Sequence, residues 1–232
     1  MQDNNGLAIL YEDNHVIVIN KKPSQIVQGD KTGDVTLPDL IKTYLKEKYQ
    51  KPGNVFCGVV HRLDRPTSGV VVFARTSKAL ERLNKQFQEK QTAKTYWALV
   101  ENKPRKSSEK LEDYLKKNEK QNKSYVCKAS DSGAKKAVLS YKHITDSDTY
   151  ALLEVQLETG RHHQIRCQLA NMGLFIKGDV KYGAKRPNAD GSISLHARSL
   201  EFIHPTLKEK MRFTAPVPEK DGLWQFFEKN EK

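Results

Sequence analysis

Tight turns join one short β-rich run to the next along most of this chain, and that pattern restricts its fold more than any other feature. LAILYED and HVIVIN meet at Asp13-Asn14, a strong hairpin signal, and AVLSYKHI and YALLEVQL flank the polar turn Thr145 to Thr149. A turn of a few residues reverses the chain, so the strands it joins pair antiparallel. Parallel neighbours need a crossover of a dozen or more residues. GVVVFAR and KTYWALV read as further strands, as do SLHARSLEFIHP and EKMRFTAP. TLPDLIKTYLKEKY and TSKALERLNKQFQEK carry the helical period, the first with Thr36 as cap and Pro38 in its opening turn. GRHHQIRCQLANMG also switches to that period, with Ile165, Leu169 and Met172 expected inside and Gly173 as C-cap, and GLWQFFEKN adds a short closing helix. The reading is an α+β fold: a mixed, mostly antiparallel sheet flanked by helices.

A length of 232 residues suits one larger domain or two small ones, and no linker or repeat forces a cut. The expectation is a single catalytic domain over 1–232. Residues 101–136 are lysine-rich and too poor in apolar side chains for a core, so they read as a surface hairpin or loop insertion. Forty Lys and Arg against 28 Asp and Glu give a formal charge of +12, which suits a polyanionic partner such as nucleic acid as well as a plain solubilising coat. Cys57, Cys127 and Cys167 are odd in number and lack paired spacing, which argues against a disulfide framework and a zinc site. The opening MQDNNGLAIL has no signal-peptide pattern, and no apolar run is long enough for a membrane span, so a reduced cytoplasmic location is expected.

HRLDRPTSG, residues 61 to 69, sets one aspartate, Asp64, between Arg62 and Arg65 just before a turn punctuated by Pro66 and Gly69. A kinase-type catalytic loop does not fit: a leucine splits His-Arg-Asp, and neither D-F-G nor a glycine-rich phosphate loop occurs. Two readings of Asp64 stand, a structural turn cap paired with an arginine and a catalytic carboxylate close to RNA. Adjacent His162 and His163 point in different directions on a helix with no acidic pair at ligand spacing, so no metal is expected.

HRLDRPTSG, KTYWALV, LETGRHHQIRCQLANMG, GDVKYG, LHARSLEFIHP and the closing APVP occur in the order found in RluA-type pseudouridine synthases. The chain resembles that family from about residue 7 to residue 218. The resemblance implies a mixed antiparallel sheet with a central RNA-binding cleft, and conversion of a uridine in RNA to pseudouridine without cofactor or metal. It carries over Asp64 as the catalytic carboxylate, Tyr96 as the ring against the target base and Arg166 as the partner of Asp64. Beside them, His61, Arg62, Arg65, Arg161, His162 and His163 are expected to hold substrate. The chain starts too near the catalytic core for the extra N-terminal RNA-binding domain that many family members carry. It departs from the family pattern at Gln28, where a histidine is frequent, and at Phe175, where proline is.

The reaction breaks ribose C1′ from uracil N1 and rejoins the ring through C5. Uracil leaves as a stabilised anion, so one ionised carboxylate suffices where ordinary glycosidases use two. Asp64 can attack C1′ or take a proton from C2′, and both routes stay open. Burial in a closed cleft would raise its pKa, which an arginine would offset. His162 and Arg166, four apart, would share the cleft-facing side of a helix. Tyr96 reads as a core aromatic or as a stacking platform, and Arg62 as an ion-pair partner or as filler for the space an extruded base leaves. Ribosomal and transfer RNA are the expected partners of a monomeric enzyme. An RNA binder without turnover and a base-releasing glycosylase are the rivals.

Overall fold

The computed structural model describes residues 3–4, 6–29, 33–219 and 221–230. Its elements in chain order are β1 (Asp3–Asn4), β2 (Leu7–Glu12), β3 (Val16–Lys21), α1 (Leu37–Lys48), β4 (Gly58–Val59), β5 (Ser68–Ala74), α2 (Ser77–Gln88) and β6 (Ala93–Val100). There follow β7 (Ser108–Asn118), β8 (Lys123–Cys127), β9 (Lys135–Asp146), β10 (Ala151–Leu157), α3 (Gln164–Asn171), a 3-10 turn (Val180–Tyr182), β11 (Leu195–Ile203), β12 (Lys210–Thr214) and α4 (Gly222–Lys229). Strand pairs joined by tight turns are antiparallel throughout, and the fold is α+β as the turn pattern requires. The chain divides into two compact units, one of Met1–Ala93 with Ala197–Pro216, the other of Lys94–His196 with Val217–Lys232.

In the first unit the strands run β1-β2-β3-β5-β11, with β12 on β11 and β4 on β5. Every residue of β5 is buried, and Val70, Val72 and Ala74 pack with Val16 and Val18 of β3 under Ala79 and Leu83 of α2. Thr36 caps α1 reciprocally with Asp39, which satisfies two helix-end donors at once. Asp30 to Thr32 of the polar loop after β3 lie outside the described residues.

In the second unit the order is β6-β10-β9-β7-β8. Trp97 and Leu99 of β6 face Leu152 of β10, with Trp224 and Phe227 of α4 closing that core. The lysine-rich stretch forms the β7–β8 hairpin, and β7 pairs with β9 from Ser108↔Lys142 to Leu115↔Lys135. Several of its lysines are paired: Lys110 with Glu158, Lys136 with Glu112, and Lys117 with Glu119.

Two expectations for α3 need correction. Met172 is 38% exposed, because the helix stops at Asn171 before the apolar stripe returns to it. Leu174 takes the inward place instead: its N–H and that of Gly173 turn back to the carbonyls of Leu169 and Ala170 around Gly173 at φ +76°. His162 precedes the helix, so it and Arg166 share no helix face.

Gly69 opens β5 at φ +114°, and a Cβ there would stand 2.3 Å from the carbonyl oxygen of Ala197. Only glycine fits so close a backbone approach. Gly69→Ala is expected to cost roughly 3 kcal/mol or more, read as a lowered denaturant midpoint.

Candidate active site

Asp64 lies on the loop between β4 and β5, and the first unit holds that loop from below. Lys21, the last residue of β3, is fully buried and donates to the carbonyls of Lys22, Arg65 and Thr67 at 3.0, 3.0 and 2.6 Å. The Arg65 carbonyl also accepts from the Ser24 N–H, and the Thr67 N–H closes the turn onto the Asp64 carbonyl. Leu63 is buried beside them. Burial brings the Lys21 ammonium down to about 7, with the charge of Asp64 opposing the drop and that of Arg65 adding to it. The carboxylate of Asp64 is thus within electrostatic reach of a buried amine.

The expected substrate-binding residues of this loop have definite partners. His61 accepts from the Val72 N–H of β5 through Nε2 and stacks on Phe87 at 4.8 Å, so its ring extends the strand pairing that β4 leaves off. Arg65 pairs with Asp34 at 2.6 Å. Exposed Arg62 reaches Gln28 at 2.9 Å, the position where the family often has histidine.

The second unit gathers the remaining candidates. Tyr96 is buried in β6 opposite Val155. Two residues earlier, burial lowers the Lys94 ammonium pKa, and its nitrogen lies 3.7 Å from where a Cβ of Gly160 would stand. From Thr159 onward GRHHQIR is tied down residue by residue. Gln164 accepts from the Thr159 hydroxyl and the Arg161 N–H and donates to the Val138 carbonyl, while the Arg161 side chain donates to the Lys136 carbonyl. His163 caps α3 in the left-handed region, φ +52°, its ring stacked on His162 at 3.8 Å. Its Nδ1 lies 3.0 Å from the Tyr182 hydroxyl, which accepts from the Ser124 N–H, and the Ser124 hydroxyl donates to the His162 carbonyl.

Arg166 is buried in α3 and forms a two-pronged pair with buried Asp179, at 2.6 and 2.8 Å. The Tyr182 ring lies 5.1 Å from its guanidinium, and burial pushes the phenol of Tyr182 up. Two parallel charge-assisted bonds plus a ring fix this arginine in place and direction. Asp179 and Tyr182 were not singled out from the sequence as site residues. Both belong to GDVKYG, where an aspartate between glycine and an apolar residue gave the only signal.

Burial also pushes the Cys57 thiol up to about 12 and that of Cys167 up to about 11, which leaves both unreactive. Among the described residues no cluster of His, Cys, Asp or Glu could hold a metal ion, and no helix is long and apolar enough to cross a membrane.

The sequence profile of the RNA pseudouridylate synthases matches residues 15–171. The chain is 35% identical over 228 residues to ribosomal large subunit pseudouridine synthase D of Xylella fastidiosa, covering 92% of this chain and 66% of that protein. It is 33% identical over 236 residues to an uncharacterized RNA pseudouridine synthase of Chlorobaculum parvum, covering 92% and 71%. Human RNA pseudouridylate synthase domain containing 4 superposes with a TM-score of 0.74 at 25% identity, over 91% of this chain and 89% of that one. The chain belongs to the RluA-type RNA pseudouridine synthases.

It is therefore an isomerase acting on RNA. The matched segment contains all nine residues expected at the site and ends before Asp179 and Tyr182, so the carboxylate that holds Arg166 lies beyond it.

Two outcomes follow from this geometry. Asp179→Ala strands a buried guanidinium and is expected to cost about 3–5 kcal/mol in urea unfolding. Lys21→Met leaves three carbonyls without their donor and is expected to cost about 1–3 kcal/mol at pH 7. Unfolded lysine keeps its proton to about 10.5, whereas buried Lys21 sheds it near 7, so the folded chain binds fewer protons in between. Stability measured from pH 7 to pH 10 should accordingly rise for the native protein relative to Lys21→Met.

Proposed function

We propose that this enzyme isomerises a uridine of ribosomal RNA, with Asp64 as the single carboxylate that opens the glycosidic bond. The observation that carries this reading is the bracing of the Asp64 loop. A surface turn cap has no use for a fully buried lysine donating to three carbonyls around it, whereas a group that must meet one ribose carbon needs that rigidity. Relatives named for the large ribosomal subunit favour ribosomal over transfer RNA as substrate.

In the proposed reaction the target uridine leaves its stack, at a cost of a few kcal/mol, and its base lies against the Tyr96 ring. Asp64 then acts at the sugar, either bonding to C1′ as N1 departs or taking the C2′ proton. In both routes the C1′–N1 bond breaks and a C1′–C5 bond forms; C5 displaces the Asp64 carboxylate from C1′ in the first, and Asp64 returns the proton to C2′ in the second. The C5 proton is lost and N1 gains one, so the product is an isomer of the substrate.

Asp64→Asn should lower tritium release from RNA labelled at uridine C5 by about 10³-fold or more, with RNA affinity nearly unchanged. Retained turnover in that variant refutes the assignment, and free uracil in the native reaction would mark a glycosylase instead. Deuterium at C2′ separates the routes: a primary isotope effect assigns proton abstraction, and its absence assigns attack at C1′.

A further inference from the structure

One hollow in the second unit plays no part in the chemistry above. It encloses about 420 Å³ at the far end of β6 and is lined by Glu101, Tyr150, Lys177, Lys185, Arg186 and Asn188, among others. Three of these six are cations and one is an acid. Glu101 accepts from the Lys185 backbone N–H at 3.1 Å, which anchors the loop that carries Lys185 and Arg186. Neither of those exposed side chains has an ion-pair partner among the described residues. By contrast, Lys110 and Lys117 of β7 and Lys136 of β9 are matched with glutamates.

The hollow is also built. Lys177 donates to the Asn188 Oδ1 at 2.6 Å, and Asn188 is braced by the hydroxyls of Ser192 and Ser194. The Lys177 ammonium lies 6.0 Å from the Tyr150 ring, which packs on the Trp97–Trp224 core. Gly178 lets the loop close: a Cβ there would stand 2.7 Å from the Asn188 side chain and 2.8 Å from the Ser192 carbonyl. The result is one fixed ammonium, two free cations above it, and a flat half-buried ring beside them.

Building on the RNA reading above, we propose that this hollow binds a backbone phosphate of the RNA substrate, with the attached nucleotide against Tyr150. An open, positively charged wall next to an aromatic face suits a nucleotide held by charge and stacking without base-specific contacts. Glu101 follows Tyr96 by five residues and lies just past the end of β6, about 16 Å away at roughly 3.3 Å per residue. The nucleotide held here is therefore a flanking one and not the target uridine. The hollow anchors the substrate at a second point, apart from the base that lies against Tyr96.

The test compares two charge-reversed pairs on tritium-labelled large-subunit ribosomal RNA made in vitro. Lys185→Glu with Arg186→Glu alters the hollow; Lys46→Glu with Lys78→Glu makes the same charge change on exposed helix positions. The first pair is expected to weaken RNA binding more than tenfold and to lower the slope of log K against log salt by one to two. The control pair should do far less. Native affinity and slope in the first pair, or equal losses in both pairs, would overturn the proposal. Absence of tritium release from the native enzyme would instead sink the synthase reading, which this binding contrast does not measure.

Discussion

A buried ammonium beneath a loop of carbonyls sets the geometry of the segment that carries Asp64. Lys21 ends β3 where it can place all three donors on backbone oxygens, two of them from the segment that carries Asp64. Carbonyl oxygens are the acceptors here, so the amine ties three backbone groups together at once. Uncharged acceptors let one side chain organise the loop without a carboxylate of its own. The loop is short on both sides, running from β4 directly into wholly buried β5, so the bracing is transmitted to a rigid sheet.

The second unit solves a similar problem with opposite charges. Arg166 needs a carboxylate to be buried at all, and Asp179 provides it from a segment held by Gly178 and the turn that follows. Tyr182 then links that segment to Ser124 of β8 and to His163 at the start of α3. The helix, the hairpin and the 3-10 turn are one hydrogen-bonded assembly, although their residues are far apart in sequence. The left-handed backbone at His163 makes sense in that setting: it turns the ring onto Tyr182 and leaves Gln164 to fasten the preceding loop.

Elements whose cause is local could be read in the sequence. Hairpins follow from turn residues, α1 from Thr36 and Pro38, and the end of α3 from Gly173, all within a few positions. Asp64, Tyr96 and Arg166 came from a family resemblance, since no spacing distinguishes a catalytic aspartate from a turn cap. The partners were illegible because they are set by packing: Lys21 and Arg65 are 44 residues apart, and Ser124 and Tyr182 are 58 apart. The inward role given to Met172 failed for a related reason. A hydrophobic period says which face is buried but not at which residue the helix stops.

The pairing of Lys110, Lys117 and Lys136 with glutamates changes what the net charge of +12 means for an approaching polyanion. A matched pair looks from afar like a small dipole, whose pull dies away much faster than that of a lone ion. The outward field of the molecule is therefore shaped less by its paired lysines than by cations lacking such mates. A capture route for RNA would be drawn by a few solitary charges, and counting basic residues along the chain would point to the wrong doorway.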